Sequence, residues 1–190
     1  LLFIGAGTVA ESLIYAYSAA FPDLEKITIW ARNTEKAKIL INKISNLDIT
    51  IEVSSDIQLT SANADIISTA TMAHEPILKG EWVKPGTHID LIGAFTSDMR
   101  EADDFLMSSG SIFVDSRATT IEHIGELTIP ISNGIISKND IIGDFYDLIP
   151  SSKGGRKSND EITIFKNGGG AHLDLMIAKY LIEISNNSIS

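Results

Sequence analysis

The chain has 190 residues, a length typical of one globular domain of moderate size. Its 25 Asp and Glu residues outnumber its 15 Lys and Arg residues. This excess of acid argues against a nucleic-acid partner, because basic side chains supply most of the affinity for nucleic acids. The absence of cysteine excludes disulfides, a thiolate nucleophile and a cysteine-ligated zinc site. No apolar run approaches the roughly 20 residues that span a bilayer, and no signal-peptide pattern is present, so we expect a cytoplasmic protein with no membrane partner.

The first stretch of the chain predicts a buried strand, a tight turn and the start of a helix. The apolar run Leu1–Ile4 ends at Gly5-Ala6-Gly7, and a helix-period pattern follows. Gly5 can make the turn, and Gly7 lets the backbone approach a phosphate without a Cβ. Unpaired N–H groups of the new helix would then face the anion. A glycine-rich turn can also be only a tight connection, but this context favours dinucleotide binding.

Strand and helix patterns alternate through most of the chain. The first helix is predicted to place Val9, Leu13, Ala16, Tyr17 and Ala20 on one stripe, and Asn33 or Thr34 is expected to cap the second. Further strands are predicted at Ile27–Trp30, Ile49–Val53, Asp65–Ser68, His88–Leu91, Ser111–Val114 and Glu161–Phe165. Strands separated by helices or long crossovers imply parallel βαβ units. The predicted fold class is α/β, with a doubly wound, mostly parallel sheet of the Rossmann NAD(P)-binding type.

The alternation loosens after Asp115. Short helical patterns are predicted near Thr119–Ile124 and Asp140–Ile149. After the last strand, a glycine run at 168–170 opens a terminal helix with an apolar stripe at helical spacing, which is most simply core packing. The stripe comprises Leu173, Met176, Ile177, Tyr180, Leu181 and Ile184.

The end of the second strand carries a signal for the type of cofactor. An NAD-binding domain usually has an acidic residue here for the ribose hydroxyls, but this chain has Ala31 followed by Arg32-Asn33-Thr34. Arg32 offers a planar donor fork for a 2′-phosphate and Thr34 a hydroxyl. Arg32 is alternatively a solvated cation at the start of a helix. The change from acid to base favours NADP(H) over NAD(H).

Two further stretches lie at the carboxyl edge of the predicted sheet, where open α/β sheets bind their ligands. The hydroxyl-rich segment 68–71 either lines the nicotinamide ribose or forms an ordinary turn. Gly93 and Ala94 would leave room for the nicotinamide ring.

The four histidines are scattered without ligand spacing, so no metal site is expected. Of these, His172 either touches substrate or cofactor, or faces solvent at a helix start.

Six motifs in chain order together resemble the ornithine cyclodeaminase and mu-crystallin family, over residues 1 to 184. They are Gly5-Ala6-Gly7, Trp30-Ala31-Arg32-Asn33, Gly80-Glu81-Trp82-Val83-Lys84-Pro85-Gly86-Thr87-His88, Met99-Arg100-Glu101, Gly155-Arg156-Lys157-Ser158 and Glu161-Ile162-Thr163-Ile164-Phe165-Lys166. The family includes ornithine and lysine cyclodeaminases, an alanine dehydrogenase and ketimine reductases. The resemblance implies an NAD(P)-dependent oxidoreductase of carbon–nitrogen bonds that acts on a small amino or imino acid.

The resemblance also implies a second domain, for substrate binding and dimerisation, built mostly from a portion upstream of Leu1. Residues 1–170 are assigned to the NAD(P)-binding domain. Residues 171–190 are assigned to a terminal helix that closes this domain or packs toward the second one. The full-length protein is expected to be a homodimer. The lysine and arginines that grip the substrate are expected upstream, so no catalytic residue is assigned in this chain.

Cofactor-binding roles carry over from the family by position. The residues assigned are Gly5, Ala6, Gly7, Thr8 and Val9 at the pyrophosphate, Arg32, Asn33 and Thr34 at the adenosine ribose or its phosphate, and Thr69, Ala70, Thr71, Gly93, Gly168 and Gly169 along the nicotinamide half.

One position departs from the cyclodeaminase pattern. Cyclodeaminases carry an aspartate directly after the glycine pair that ends the fifth strand, and Phe95 stands at the matching position here. Mu-crystallin-like members also lack that aspartate, and an apolar ring cannot move protons. We therefore expect an imino acid (ketimine) reductase or an amino acid dehydrogenase. A cyclodeaminase and a non-catalytic, NADP-binding crystallin-like module are the alternatives.

Overall fold

The computed structural model describes residues 1–44, 47–151 and 154–187. The strands in these residues are β1 Leu2–Ile4, β2 Lys26–Trp30, β3 Thr50–Ser54, β4 Ile66–Thr69, β5 His88–Leu91, β6 Ser111–Val114, β7 Ile141–Gly143 and β8 Thr163–Lys166. The helices are α1 Thr8–Ala20, α2 Thr34–Lys43, α3 Ile57–Asn63, α4 Asp104–Ser109, α5 Arg117–Thr120, α6 Gly125–Ser132, α7 Phe145–Leu148 and α8 Ala171–Asn187, with short 3₁₀ turns at Gly80–Trp82 and Lys138–Asp140.

All the described strands form one sheet in the order β3-β2-β1-β4-β5-β8-β6-β7, and every neighbouring pair is parallel. This confirms the predicted α/β, doubly wound architecture. From β1 the chain builds outward to β2 and β3, then returns to place β4 on the other side of β1. The order of strands therefore reverses between β1 and β4, and a crevice opens beyond their carboxyl ends.

The sheet is apolar on both faces. Along β1, Leu2 and Ile4 join one buried cluster, while Phe3 points the other way into a second cluster with Ile14 of α1 and Ile29 of β2. Side chains of a strand alternate between faces, so a three-residue apolar strand must be covered by helices on both sides. This double burial holds β1, and the turn that follows it, at the centre of the molecule.

The structure corrects the predicted inner face of α1. Ala10 and Ile14 are fully buried, whereas Val9, the first residue of the predicted stripe, is 51% exposed. The small side chain of Ala10 lets the helix approach the sheet closely, so the face that carries Ala10 turns inward. Tyr17 belongs to both patterns and packs against the cluster around Phe3.

The predicted helix at Asp140–Ile149 is also wrong in its first half. Residues 141–143 form β7, and the helix begins only after Asp144, whose Oδ1 accepts hydrogen bonds from the N–H groups of Tyr146 and Asp147. A residue that caps a helix lies outside it, so this cap separates the strand from α7.

The expectation that the stripe of the terminal helix packs into the core is wrong for most of its residues. His172 and Leu173 are half-buried, but side chains from the second turn of α8 onward are exposed. The exposed apolar ones are Leu175, Met176, Ile177, Tyr180, Leu181, Ile182 and Ile184. The helix leaves the sheet after its first turn, which a periodic sequence pattern cannot reveal. Within the described ranges, no helix combines the length and the apolar character needed to cross a membrane.

One buried carboxyl group lies between α1 and the sheet. Asp90 of β5 is 8% exposed, and the hydroxyl of Tyr17 donates a hydrogen bond of 2.9 Å to its Oδ2. Burial raises the pKa of Asp90 to about 6, while the Tyr17 hydrogen bond and the charge of Lys166 oppose part of that rise. A carboxyl group with a raised pKa in the folded state favours folding most when it is protonated.

We predict that this group makes the protein lose stability as the pH rises from about 4 to about 6, since the native state binds the proton more tightly than the unfolded chain does. Asp90→Asn removes this titration, so the stability of the variant relative to wild type should be about 2 kcal/mol more favourable at pH 7 than at pH 4, given about 1.4 kcal/mol for each pKa unit. Urea unfolding of both proteins at the two pH values measures this. Asp23→Asn, at an exposed carboxylate, is the control and should show no such difference. A constant effect of Asp90→Asn across the pH range would contradict the prediction.

Candidate functional site

The turn after β1 presses directly against the end of β4. The N–H of Gly5 donates to the carbonyl of Trp30 at 2.8 Å, and the N–H of Ala70 donates to the carbonyl of Ile4 at 2.8 Å. Gly5 has φ +126°, and a Cβ there would lie 2.5 Å from the carbonyl oxygen of Ala70. Only glycine meets both requirements, so the turn brings bare backbone to the bottom of the crevice.

The start of α1 faces open space. Gly7 is the N-cap residue, it makes no side-chain cap, and a Cβ built on it meets no atom within 4 Å. The first N–H groups of a helix lack partners within the helix and carry partial positive charge. Thr8, Val9 and Ala10 supply these N–H groups here. The arrangement can bind an anion such as a pyrophosphate.

The crevice between β1 and β4 is a cleft of about 280 Å³ that contains two cations and no carboxylate among its lining residues. These residues are Gly5, Ala6, Gly7, Trp30, Ala31, Arg32, Asn33, Lys36, Ala70, Thr71, Met72 and Ile77. Lys36 was missed by the sequence analysis. Its spacing four residues after Arg32, in the first turn of α2, was the available signal, because it brings the two cations to the same end of that helix.

The side chain of Asn33 has a structural role. Its Oδ1 accepts a hydrogen bond of 3.0 Å from the N–H of Glu35, which confirms Asn33 as the cap of α2. Thr34 is the first residue of that helix and is half-buried. Arg32 and Lys36 are exposed at the mouth of the cleft, where they can reach a bound anion.

A larger cavity, of about 660 Å³, lies at the opposite edge of the sheet. Its lining has four carboxylates, those of Asp23, Glu25, Glu52 and Asp65, against one lysine, Lys26, which pairs with Glu52. Arg156 also lies toward that edge, where it donates to the carbonyls of Gly86 and Glu161. The acidic lining would repel a dinucleotide, so the smaller cleft at the carboxyl ends is the candidate site.

The loops after β4 and β5 are tied together by one buried carboxylate, that of Glu101. Its Oε1 accepts hydrogen bonds from the N–H and the hydroxyl of Thr71, both at 2.7 Å. Its Oε2 accepts from the hydroxyl of Thr69 at 2.8 Å and from the N–H groups of Gly93 and Ala94 at 2.7 and 3.2 Å. In the sequence, Glu101 stands out only as part of a motif, because no local pattern shows that it reaches across two loops.

Two further buried ionisable residues, Glu126 and Lys166, lie near Glu101. The Glu126 carboxylate accepts hydrogen bonds from the N–H groups of Glu101 and Ala102 at 2.8 and 2.9 Å. Burial raises the pKa of Glu126 to about 7. The ammonium of Lys166, at the end of β8, donates to the carbonyl of Leu91 at 2.9 Å, and burial lowers its pKa against the attraction of the surrounding carboxylates. Lys166 had been noted from the sequence only as the last residue of a motif, and Glu126 had not been noted.

The remaining residues assigned to the nicotinamide half occupy different depths. Thr69 is fully buried and its hydroxyl is used by Glu101, whereas Thr71 lines the cleft. Gly93 lies directly behind Thr71, since a Cβ on Gly93 would fall 2.0 Å from the Thr71 carbonyl oxygen. Phe95 follows in the same loop and is 58% exposed.

The segment after β8 packs against residues that follow β6 at the carboxyl edge of the sheet. A Cβ on Gly168 would lie 2.6 Å from Thr120, whereas Gly169, at φ +66°, meets nothing within 4 Å. His172 is half-buried, with its Nε2 3.7 Å from Oδ2 of Asp115 and its ring edge-on to Phe145. It therefore packs back onto the domain. Among the described residues, no three His, Asp or Glu side chains are grouped so that they could hold a metal ion.

Comparison with known proteins identifies the family. The family model described as "Ornithine cyclodeaminase/mu-crystallin family" matches residues 1–188. A Delta(1)-pyrroline-2-carboxylate reductase of Paracoccus denitrificans is 52% identical over 184 residues, which is 97% of this chain and 58% of that protein. The ketimine reductase mu-crystallin of Mus musculus is 34% identical, over 96% of this chain and 54% of that protein.

A solved structure shares the fold as well as the sequence. The Delta(1)-pyrroline-2-carboxylate reductase of Thermococcus litoralis, in complex with NADH and L-proline, superposes with a TM-score of 0.82 at 31% identity. The match covers 87% of this chain and 51% of that one. The chain thus spans little more than half the length of these relatives. The glycine turn at the strand reversal and the match over nearly all its residues lead to one conclusion: the chain belongs to the ornithine cyclodeaminase/mu-crystallin family.

Proposed function

We propose that this chain binds a nicotinamide dinucleotide at the β1/β4 crevice and that the complete protein uses it to reduce the C=N bond of a small cyclic imino acid. The observation that carries the cofactor proposal is the bare backbone of Gly5 and Gly7 below an open helix start. The relatives support the reaction, since two of them are Delta(1)-pyrroline-2-carboxylate reductases and a third is a ketimine reductase.

In this proposal the pyrophosphate lies before α1. Gly5, Ala6 and Gly7 leave the space for it, and the N–H groups of Thr8 and Val9 face its oxygens. The two glycines have different tasks. Gly5 is required by the protein itself, because of its φ and its contact with Ala70, whereas only a ligand would use the space beside Gly7.

We therefore expect Gly7→Ala to leave the fold intact and to weaken cofactor binding, since the added methyl group enters the phosphate space. Gly5→Ala, in contrast, should destabilise the protein, because its Cβ would overlap the Ala70 carbonyl oxygen. Thermal unfolding without cofactor and calorimetric titration with NADPH separate the two effects. Unchanged NADPH affinity in Gly7→Ala would contradict the placement of the pyrophosphate.

We further propose that the adenosine end prefers NADP(H) to NAD(H). Arg32 can pair with a 2′-phosphate, Lys36 adds a second positive charge, and Asn33 and Thr34 lie between them at the start of α2. Ala31 replaces the usual acid, so no carboxylate at the end of β2 repels the phosphate. The Thermococcus litoralis relative holds NADH, so the preference rests on this chain's own cations.

Arg32→Ala should weaken NADPH binding by about 1.5–3 kcal/mol, the usual cost of losing a hydrogen bond to a charged group, and should leave NADH binding nearly unchanged. Lys36→Ala should act in the same direction with a smaller effect, because an ammonium makes no planar bidentate contact. Titration of each variant with both cofactors measures the difference. Lys38→Ala, whose side chain pairs with Glu35 and does not line the cleft, is the matched control. Equal losses for NADPH and NADH in Arg32→Ala would contradict the 2′-phosphate role.

The chemistry proposed for the complete protein needs a hydride, a proton and a positioned imine. The reduced nicotinamide supplies the hydride to carbon, the C=N π pair goes to nitrogen, and nitrogen takes up one proton. Thr71, Ala70 and Gly93 would hold the nicotinamide ring at the carboxyl edge, and the loop of Gly168 and Gly169 would close over it. We propose that the groups that bind the imino acid lie in the part of the family fold outside this chain.

We also propose that cofactor binding and substrate binding belong to different domains. We propose that residues 1–170 form the cofactor domain and that α8, Ala171–Asn187, packs toward a substrate and dimerisation domain. Its exposed apolar side chains support packing against something outside residues 1–170. We propose a homodimer as the complete assembly.

The reaction type is tested by giving the complete protein two substrates. We expect NADPH consumption and proline formation with Δ1-pyrroline-2-carboxylate. We expect no release of ammonia from L-ornithine, because Phe95 cannot shuttle protons, and a general acid or base typically contributes about 10²–10⁴ in rate. Efficient conversion of ornithine to proline would overturn the reductase assignment. Tight NADPH binding without turnover of any imine would instead favour a non-catalytic binding module.

A further inference from the structure

The carboxylate of Glu101 lies where two loops of the proposed cofactor site meet. It is fully buried and accepts five hydrogen bonds, all from residues at the carboxyl ends of β4 and β5. An ionised carboxylate only accepts hydrogen bonds, so its two oxygens suit this shell of donors, whereas a neutral amide or acid would turn a donor toward other donors. The site is therefore built for a negative charge.

The loops that Glu101 joins are in direct contact with each other. A Cβ on Gly93 would lie 2.0 Å from the Thr71 carbonyl oxygen and 2.5 Å from Oε1 of Glu101. Thr71 lines the cleft, and the backbone carbonyl of Glu101 also accepts the N–H of Ile77, another lining residue, at 2.9 Å. A displacement of Glu101 would thus move the part of the cleft wall that Thr71 and Ile77 form.

Glu101 is itself held from behind. Both oxygens of the buried Glu126 carboxylate accept backbone N–H groups, one from Glu101 and one from Ala102. Lys166 is buried on the neighbouring strand and attracts both carboxylates. The position of the Glu101 side chain is therefore fixed by the donors that bind its carboxylate and by the hydrogen bonds from its main chain to Glu126.

We propose that Glu101 is a positioning residue that fixes the β4 and β5 loops in the geometry that holds the nicotinamide ring. The inference rests on the proposed cofactor site and deepens it. The Glu101 side chain is linked to the ring through Thr71 and Gly93, and among the described residues it makes no hydrogen bond to Arg32 or Lys36 on the adenosine side of the cleft. Loss of the Glu101 carboxylate should change the position of the nicotinamide ring and leave the binding of the remainder of the dinucleotide unchanged.

The test compares Glu101→Gln with wild type in the complete protein, using NADPH and 2′-phospho-ADP-ribose, which lacks the nicotinamide. In wild type, bound NADPH should show altered nicotinamide fluorescence. In Glu101→Gln we expect that signature to return toward that of free NADPH and kcat with Δ1-pyrroline-2-carboxylate to fall by about tenfold to a hundredfold. The affinity for 2′-phospho-ADP-ribose should change by less than about twofold.

Two variants guard against a loss of folding. Thr69→Val removes one donor to Glu101 at a fully buried position, so it leaves the cleft surface unchanged and should shift the fluorescence in the same direction by less. Asp103→Asn is the matched control, since Oδ1 of Asp103 accepts the N–H groups of Gly80 and Leu106 away from the cleft. It should leave the NADPH signature unchanged.

The outcomes separate the two proposals. If wild type fails to bind NADPH, the proposed cofactor is wrong and the role of Glu101 falls with it. If wild type binds but Glu101→Gln and Thr69→Val keep its fluorescence and turnover, only the positioning role is refuted. Equal weakening of NADPH and 2′-phospho-ADP-ribose would also refute it, because a general loss of structure affects both ligands. If Glu101→Gln does not fold, the fluorescence of Thr69→Val decides between the outcomes.

Discussion

The contact between the backbone of Gly5 and the carbonyl of Ala70 is the constraint on which the rest of the site depends. It requires a residue with positive φ and no Cβ, and it requires β4 to lie beside β1. That neighbour relation exists only because the chain crosses back over β1 after building β2 and β3. The turn, the open helix start and the cleft all follow from this one reversal of strand order.

Three ionisable side chains are buried near the same edge of the sheet. Glu101, Glu126 and Lys166 are all fully buried, and their cost of desolvation is offset by backbone donors, a backbone acceptor and the attraction of Lys166 for both carboxylates. An apolar core of similar volume would be easier to stabilise. The polar network has the advantage of holding loops in one arrangement, because each donor and acceptor has a fixed direction.

Local features of the fold were predictable from the sequence. The strand at His88–Leu91 and the one at Ser111–Val114 were predicted at their observed bounds, because short apolar runs between turn residues leave few alternatives. The Asn33 cap follows from side-chain chemistry. The strand β7 was missed because Ile141-Ile142-Gly143 is as apolar as a buried helix, and only its pairing with β6 decides the matter.

The glycines and Arg32 of the cleft could be predicted from the sequence, but most of the residues that support the cleft could not. Gly5, Gly7 and Arg32 are readable because local backbone geometry and charge specify their use. Lys36 was recognisable only by its spacing from Arg32, and Glu101 was not recognisable, since its importance comes from the loops that the fold brings beside it. The inner face of α1 was misassigned for the same reason, as the approach of Ala10 to the sheet is a property of the packed structure.

A crystal structure of the complete protein with NADPH would show directly whether the pyrophosphate lies before α1. We predict that the pyrophosphate oxygens lie within about 3 Å of the N–H groups at the start of α1, as anions do at helix N-termini. The 2′-phosphate should then lie beside Arg32, and the nicotinamide beside Thr71. A dinucleotide bound elsewhere, with the space before Gly7 filled by solvent, would contradict the account.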